Sequence, residues 1–333
     1  MIHFRKGFAC ILAFCMLALA GCGSAVLKST EEELTPVATI GEFDVPYELY
    51  RYIALNYRDQ YEEGASADIW LGESGETLLA ELQENVEYSL IKMYTTMSLC
   101  KEYGLTADNP LITSAVDVEM DELYESYEND LQAYADTIGE YHMNDSVYRF
   151  LVQNETMGAE LFYLLQNEGI IESDDDALRE LMQSDTFVRV KQILISDTNG
   201  KTDEENLALI QDIYSQLENG GDFETLLGMY GQDLYMFNND DGYYIAPGSR
   251  YTEFEEAAFS LEVGEYSGIV KTLAGYSIIM RYEKDQEYLD THFDELCQEY
   301  YDGAYNTILE AHAASLTMTP LPALDNYTIL TME

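Results

Sequence analysis

The residue types that most often bind metals or transfer protons show no conventional active-site spacing in this sequence. The spacings of the four histidines do not match those of zinc ligands; these residues are His3, His142, His292 and His312. The sequence also contains neither the glycine-rich loop that holds phosphates nor the Gly-x-Ser-x-Gly turn of serine hydrolases. With 63 acidic residues, paired carboxylates of the kind used by glycosidases are expected by chance. We therefore predict no bound metal and no cofactor.

One acidic loop, residues 238–242 (NNDDG), has the composition of a calcium-binding loop. An EF-hand loop needs an acidic ligand at its first position and a bidentate glutamate at its twelfth. Those positions hold Phe237 and Gly248 here, so an EF-hand is excluded. Weak binding of calcium at the surface stays open.

The composition indicates a folded, strongly acidic protein. A length of 333 residues suggests about two domains, and 47% hydrophobic residues, with 28 Tyr and 12 Phe, can fill cores of that size. The chain has 16 Lys and Arg against 63 Asp and Glu. A net charge of −47 excludes a nucleic-acid-binding protein, because the phosphate backbone needs a basic surface. It also argues against docking on anionic lipid through protein charge.

The first 22 residues have the layout of a bacterial export signal. Arg5 and Lys6 precede an apolar run over residues 8–20, which is shorter than the ~20 residues that span a bilayer. Residues 19–22 (LAGC) resemble a lipobox, which implies cleavage before Cys22 and attachment of a lipid to its thiol. We therefore predict a signal peptide over 1–21, a tether over 22–36 and an extracytoplasmic lipoprotein of the bacterial cell membrane. The alternative is an ordinary signal peptide beside an incidental Cys22.

Two cysteines lie beyond the signal, Cys100 and Cys297, and both occur in helical patterns. In an exported protein they can form a disulfide, which requires the C-terminal helix to return onto the N-terminal region. The alternative is a pair of buried, unreactive thiols.

Residues 37–186 are predicted to be helical after one short strand. The strand covers 37–43, and apolar residues then recur at helical spacing in five segments. These segments are 46–61, 76–103, 110–136, 145–167 and 174–184. Ser173 is predicted to cap the last helix, whose first turn holds aspartates that the helix dipole favours.

The pattern changes near residue 187 to alternating strands and helices. A β-rich run over 188–195 is followed by two helices. The first begins with the capping-box pair Thr202 and Glu205, and the second is capped by Asp222. The later elements are a strand at 242–245, a helix at 253–259 and strands at 267–272 and 276–282.

The resulting order, β-α-α-β-α-β-β, predicts an α+β domain with a small, mostly antiparallel sheet over 187–284. Residues 285–333 are predicted to form a returning helix over 289–315 and a tail with a last strand over 327–331. The predicted fold class is therefore α+β, with a helical N-terminal domain over 37–186 and the sheet domain inserted before the C-terminal helix.

Four segments of the sheet domain resemble the parvulin family of peptidyl-prolyl isomerases in order and spacing. They are 190–195 (VKQILI), 221–233 (GDFETLLGMYGQD), 254–268 (FEEAAFSLEVGEYSG) and 270–279 (VKTLAGYSII). The arrangement of a helical region, an inserted domain and a returning helix is similar to that of extracytoplasmic foldases of the PrsA and SurA type. The resemblance implies a protein that accelerates rotation about X–Pro amide bonds.

In that family, two histidines on the sheet and an Asp or Cys form a hydrogen-bonded network beneath the substrate. The resemblance places Gln192 and Ser277 at the histidine positions and Asp233 at the acidic position. These three are therefore candidate catalytic residues, although both histidines are absent. The structural alternative is that Gln192 and Ser277 form a polar pair across neighbouring strands and that Asp233 ties down the following loop.

The resemblance also suggests three residues that bind the substrate. Phe254 matches an aromatic residue of the family's proline pocket, and Tyr251 lies near the position of the usual methionine. Tyr244 is a nearby tyrosine; it alternates with Tyr243 along a strand, so that one of the two faces inward. The structural alternative is that Phe254 belongs to the core.

Two functions are consistent with these residues. The first is a lipid-anchored folding factor that isomerises X–Pro bonds in unfolded or nascent exported polypeptides. The second is a chaperone or binding module that has kept the fold and lost catalysis. The expected partners are exported polypeptides and, through the lipid anchor, the membrane; nucleic acid is not expected.

Overall fold

The computed structural model describes residues 27–66 and 68–332. The predicted signal peptide, the predicted lipidation site Cys22 and the first part of the tether lie outside these residues. Within the described ranges, each helix is too short or too polar to cross a membrane. The chain divides into two compact units. Of the described residues, the terminal unit contains those up to Leu164 and those from Leu309 onward, and the central unit is Leu165–Ile308.

The terminal unit is mostly helical, with a small antiparallel sheet. Its helices are α1 (Tyr47–Glu62), α2 (Gly72–Glu102), α3 (Pro110–Ser126), α4 (Leu131–Gly139) and most of α5 (Asp145–Asn167). Its sheet has the order β2-β1-β7, with β1 at Pro36–Ile40, β2 at Phe43–Pro46 and β7 at Met318–Pro320. One core joins the sheet to the helices, because Ile40, Leu49 and Leu90 are fully buried in a single apolar cluster.

The structure divides the helix predicted over 110–136 into α3 and α4. Glu128 and Asn129 lie between them with φ of 54° and 59°, and a right-handed helix cannot continue through this left-handed region. Asp130 then caps α4, because its side chain accepts hydrogen bonds from the backbone N–H groups of Gln132 and Ala133. The aspartate at 130 is therefore a helix start inside what reads as one continuous pattern.

The prediction of a last strand at 327–331 is wrong. The C-terminal strand is β7, which pairs with β1 through Ala38 opposite Pro320. The chain beyond it forms 3-10 helices at Pro322–Asn326 and Ile329–Thr331. Tyr327 stacks on Tyr47 with ring centroids 3.7 Å apart, and Ile329 is buried. The apolar residues of this tail therefore pack individually on the core.

The central unit confirms the predicted α+β fold, with additional short helices. Its strands are β3 (Val188–Ser196), β4 (Tyr243–Ile245), β5 (Val270–Thr272) and β6 (Gly275–Tyr282). They form an antiparallel sheet in the order β4-β3-β6-β5. Its helices are α6 (Asp175–Gln183), α7 (Asp203–Glu218), α8 (Phe223–Tyr230), α9 (Leu234–Asn238), α10 (Thr252–Ser260), α11 (Gln286–Thr291) and the first part of α12 (Phe293–Ala313).

Alternation along β3 sends its side chains to two different faces of the sheet. Ile193 and Ile195 pack in a cluster with α7 and α8. Val188 and Val190 pack in a second cluster with α10 and β4. Gln192 follows the same alternation as Val188 and Val190, so it points to the face that α10 covers.

Local capping signals account for the starts of three helices in this unit. The predicted capping box of Thr202 and Glu205 is present at α7, and Asp222 caps α8 by accepting from the backbone N–H of Thr225. The prediction of Ser173 as the cap of α6 is wrong. Asp174 takes that role, because it is the residue directly before α6 and its carboxylate accepts from the backbone N–H groups of Asp176 and Ala177.

The central unit extends beyond the predicted segment 187–284. Leu178 of α6 and Leu289 of α11 share one buried cluster with Phe187. The Lys284 ammonium donates hydrogen bonds to the carbonyl oxygens of Met182, Ser184 and Phe187. The boundaries at 187 and 284 therefore mark the ends of the sheet, and the predicted division of the chain into five segments stays a prediction.

Candidate functional site

The register of β3 and β6 brings the two polar strand residues together. Gln192 lies opposite Ile279, and Leu194 lies opposite Ser277. Gln192 and Ser277 are thus diagonal neighbours on one face of the sheet. The Ser277 hydroxyl donates a 2.7 Å hydrogen bond to Oε1 of Gln192.

Asp233 reaches this pair because the chain after α8 runs beside the exposed edge of β3. Strand β4 pairs only with residues 188–190 of β3, so the edge beyond it is open. There the backbone N–H of Gln232 donates to the Leu194 carbonyl at 2.9 Å, and Oε1 of Gln232 accepts from the N–H of Ser196 at 3.0 Å. Nε2 of Gln192 donates to Oδ2 of Asp233 at 2.7 Å.

Tyr243 is a fourth member of the network, and its hydroxyl donates to the same Oδ2 of Asp233 at 2.9 Å. It lies opposite Val190 in the sheet, which places it on the face of Gln192. Burial, together with the negative charge of Asp233, raises the pKa of the Tyr243 phenol. The other oxygen of Asp233 accepts from the N–H of Tyr235 at 2.9 Å and so caps α9.

The hydrogen bonds from Gln192 and Tyr243 end on the carboxylate of Asp233, whereas the one from Ser277 ends on Gln192. A carboxylate only accepts, so the Gln192 side-chain NH₂ must face Asp233, and its carbonyl oxygen must face Ser277. This fixes the orientation of the amide. Ser277 is 2% exposed, whereas Gln192, Asp233 and Tyr243 are half-buried. A bound peptide could therefore reach the last three side chains, while Ser277 supports Gln192 from below.

Phe254 lies on the same face of the sheet but belongs to the core. It is 5% exposed and packs from α10 against Val188, Val190 and Ile279 of the sheet. Tyr251, the residue that precedes α10, is 48% exposed and has an accessible ring. The structure thus places Gln192, Asp233, Ser277 and Phe254 on one face, as a shared site requires.

Tyr244 lies on the other face of the sheet, away from this network. Its ring stacks on Tyr288 with centroids 4.4 Å apart, and its hydroxyl accepts from the N–H of Asp285 at 2.9 Å. Because strand neighbours point to opposite faces, placing Tyr243 with Asp233 forces Tyr244 into the cluster beside α11.

The region where the parvulin family carries a methionine holds an ion pair in this protein. Nη1 of Arg250 lies 2.8 Å from Oε1 of Glu299 in α12, and its guanidinium lies 5.1 Å from the centroid of the Tyr243 ring. The close approach of α12 depends on Gly303, where a side-chain carbon would lie 2.4 Å from the Pro247 carbonyl oxygen. The candidate site is therefore bordered by a charged pair in place of a thioether.

Two cavities in the described part of the chain lie away from the network. One, of about 390 Å³, is lined by residues at the ends of β3 and β6 that include Arg189, Arg281 and Lys284. The other, of about 590 Å³, is an open groove along α3. Gln192, Asp233, Phe254 and Ser277 line neither of them. In the described ranges, no group of three His, Cys, Asp or Glu residues is placed to hold a metal ion.

The two cysteines of the described chain are free and buried. The Cys100 thiol donates to the Met157 carbonyl at 3.5 Å, and burial raises its pKa to about 12. Burial likewise raises the pKa of Cys297 to about 11. Both are therefore poor nucleophiles at neutral pH, in agreement with the second of the two alternatives from the sequence.

Comparison with known proteins places the sheet in a family. Residues 187–283 match the rotamase family, described as a PPIC-type PPIase domain. The foldase protein PrsA of Caldanaerobacter subterraneus is 28% identical over 285 residues, which cover 83% of this chain and 82% of that protein. The chaperone SurA of Burkholderia pseudomallei is 37% identical over 90 residues, or 27% of this chain, and this chain spans 20% of the length of that protein.

A crystal structure of PrsA from Bacillus anthracis aligns with 67% of this chain and 95% of its own, at 18% identity and a TM-score of 0.38. The match to the family is confined to 187–283, the segment that carries all four members of the network. These residues form a parvulin-type rotamase domain of the PPIC type, within a chain that resembles the PrsA and SurA folding factors.

Proposed function

We propose that this protein is an extracytoplasmic folding factor whose central unit accelerates cis–trans isomerisation of X–Pro bonds in exported polypeptides. The observation that carries the proposal is the connected network of Ser277, Gln192, Asp233 and Tyr243 in a PPIC-type domain. Gln192 and Ser277 replace the family's histidines, yet they supply one continuous line of hydrogen bonds to the acid.

The chemistry requires no covalent bond to form or break. Rotation about an X–Pro amide is slow because resonance gives the C–N bond partial double-bond character, with a barrier of ~18–20 kcal/mol. A site accelerates rotation when it binds the twisted amide better than the planar one. The planar amide carries negative charge on its oxygen, so a carboxylate beside that oxygen and the loss of water from it both favour the twisted form. Asp233, held in place by two side-chain donors, is suited to this role.

The proposal is tested by refolding a client protein whose slow phase is limited by proline isomerisation. That phase takes ~10–100 s without a catalyst. With the protein at micromolar concentration, we expect the slow phase to accelerate at least severalfold while the fast phases stay unchanged. Client refolding monitored by fluorescence, with and without the protein, gives both rates in one experiment. An unchanged slow phase would overturn the catalytic proposal.

A second candidate function is that of a chaperone without catalysis. It is favoured by the burial of Phe254 and by the absence of both family histidines, which leave less machinery for binding a proline ring. In the same refolding experiment this function gives less aggregation, measured by light scattering, with no change in the slow phase. Catalysis therefore changes the rate of the slow phase, whereas chaperone activity changes the amount of aggregation.

The location at the membrane is part of the proposal and depends on Cys22, which lies outside the described residues. A lipidated protein should partition into the detergent phase of a Triton X-114 extract of the producing bacterium, whereas a Cys22→Ser variant should lose this behaviour. Mass spectrometry of the mature N-terminus should show diacylglycerol on Cys22. Equal partitioning of both variants into the aqueous phase would contradict the lipid anchor and leave secretion through an ordinary signal peptide.

A further inference from the structure

The short helix α9 presents an unusual amount of apolar surface beside the candidate site. Leu234 is 77% exposed, Phe237 is 57% exposed and Tyr235 is 42% exposed, whereas Met236 between them turns into the core. Large apolar side chains scattered singly over a surface need no explanation, but a contiguous set marks a site of interaction. Three of the five residues of α9 form such a set.

The helix is fixed directly to the network. One oxygen of Asp233 caps α9 through the N–H of Tyr235, while its other oxygen holds Gln192 and Tyr243. The Tyr235 ring also stacks on the Tyr243 ring, with centroids 4.5 Å apart and planes within 7°. A peptide that lies against Asp233 would therefore meet the exposed side chains of α9 with the residues next to its proline.

The chain segment that carries this surface is predominantly acidic. The segment 233–256 contains six acidic residues and one basic residue, Arg250. That arginine is paired with Glu299, and the acidic Asp241 is paired with Arg189 at 3.0 Å. Asp240, two residues beyond the end of α9, and Glu253, which precedes Phe254, are exposed. Exposed acidic residues therefore follow the apolar helix along the chain, and Arg250, which lies over the Tyr243 ring, is already paired with Glu299.

We infer that α9 selects client segments in which an apolar residue directly precedes the proline and a lysine or arginine directly precedes that apolar residue. This rests on the proposed function, since it names the class of substrate for the same site. The apolar residue would cover Leu234 and Phe237, and the basic residue would lie toward Asp240 and Glu253. Acidic residues at the same position would be repelled, because like charges at an exposed surface raise the free energy of the complex.

Three capped peptides of the form Ala-Xaa-Leu-Pro-Phe, with Lys, Gln or Glu at Xaa, test this inference. Exchange NMR measures their cis–trans rates with the full chain present and needs no coupled protease. We expect the catalysed rate to fall in the order Lys, Gln, Glu, with about a fivefold difference between the Lys and Glu peptides at low salt. The difference should shrink at 0.5 M salt, since mobile ions screen exposed charges beyond ~3–8 Å. The variant D240N/E253Q should abolish the difference.

The apolar contribution is tested with the double variant L234S/F237S, which should lower the catalysed rate for all three peptides severalfold. Leu273 in the β5–β6 turn is 85% exposed and provides a matched control, so L273S should leave the rates unchanged.

Equal acceleration of the three peptides would overturn the inference and leave the proposed isomerase intact. If no peptide is accelerated but the Lys peptide binds more tightly than the others, and L234S/F237S removes that preference, catalysis is overturned and the inference stays intact. Neither binding nor acceleration would overturn both.

Discussion

Replacement of Phe254 by alanine should lower the free energy of unfolding by about 3–5 kcal/mol, the range for a phenylalanine removed from a packed core. Phe254 is 5% exposed and shares its cluster with Val188 and Ile279, which lie on neighbouring strands of the sheet. The void left by its ring would therefore lie between α10 and the sheet, where rigid strands cannot close it. Urea unfolding of the full chain, followed by tyrosine fluorescence and circular dichroism, gives this difference.

This effect on stability changes how the role of Phe254 in function must be tested. Loss of isomerase activity in F254A would follow from the damaged core alone. F254L keeps most of the apolar volume and should cost less than about 1.5 kcal/mol. If the ring itself contacts the proline of the client, F254L should lose activity while it stays folded; if Phe254 is core only, activity should persist. An F254A protein as stable as the parent would contradict the packing described for α10.

Elements that begin with a strong local signal could be predicted from the sequence. The capping box at Thr202 and the cap at Asp222 satisfy backbone N–H groups within one turn, so no distant part of the chain is needed to define them. The bounds of α5, Asp145–Asn167, agree with the prediction because apolar periodicity is also a local pattern. Helix α9 is not among the predicted elements, because the asparagines and aspartates that follow it dominate the composition and hide a five-residue helix capped by Asp233.

The candidate site depends on information that only the folded sheet supplies. The resemblance to parvulins identifies Gln192, Asp233 and Ser277, and the structure connects them. Alternation predicts that Tyr243 and Tyr244 face opposite ways, but it cannot say which one faces the network. That is decided by the pairing of Tyr243 with Val190, a contact between segments more than 50 residues apart. Cross-strand register of this kind has no local signal in the sequence.

Replacement of Asp233 by alanine should reduce isomerase activity at least tenfold, and it should also destabilise the central unit. The carboxylate accepts from Nε2 of Gln192, the hydroxyl of Tyr243 and the N–H of Tyr235. Alanine leaves all three donors without this acceptor. A half-buried donor that loses its partner costs about 1–3 kcal/mol, less where water can replace the lost oxygen. The orientation of the Gln192 amide would also be lost, since the carboxylate is what fixes it.

The variant D222A provides the matched control, because Asp222 caps α8 through Thr225 in the same way that Asp233 caps α9 but has no part in the network. It should lose a helix cap and keep its isomerase activity. D233N adds a finer comparison. Its single amide oxygen can accept from one or two of the three donors, whereas its NH₂ group faces a donor and cannot form a hydrogen bond with it. Activity should therefore fall in the order parent, D233N, D233A, measured at a temperature where all variants are folded. If D233A retains the parent rate, Asp233 serves only as a cap, and the binding surface of α9 must then act without a catalytic network beneath it.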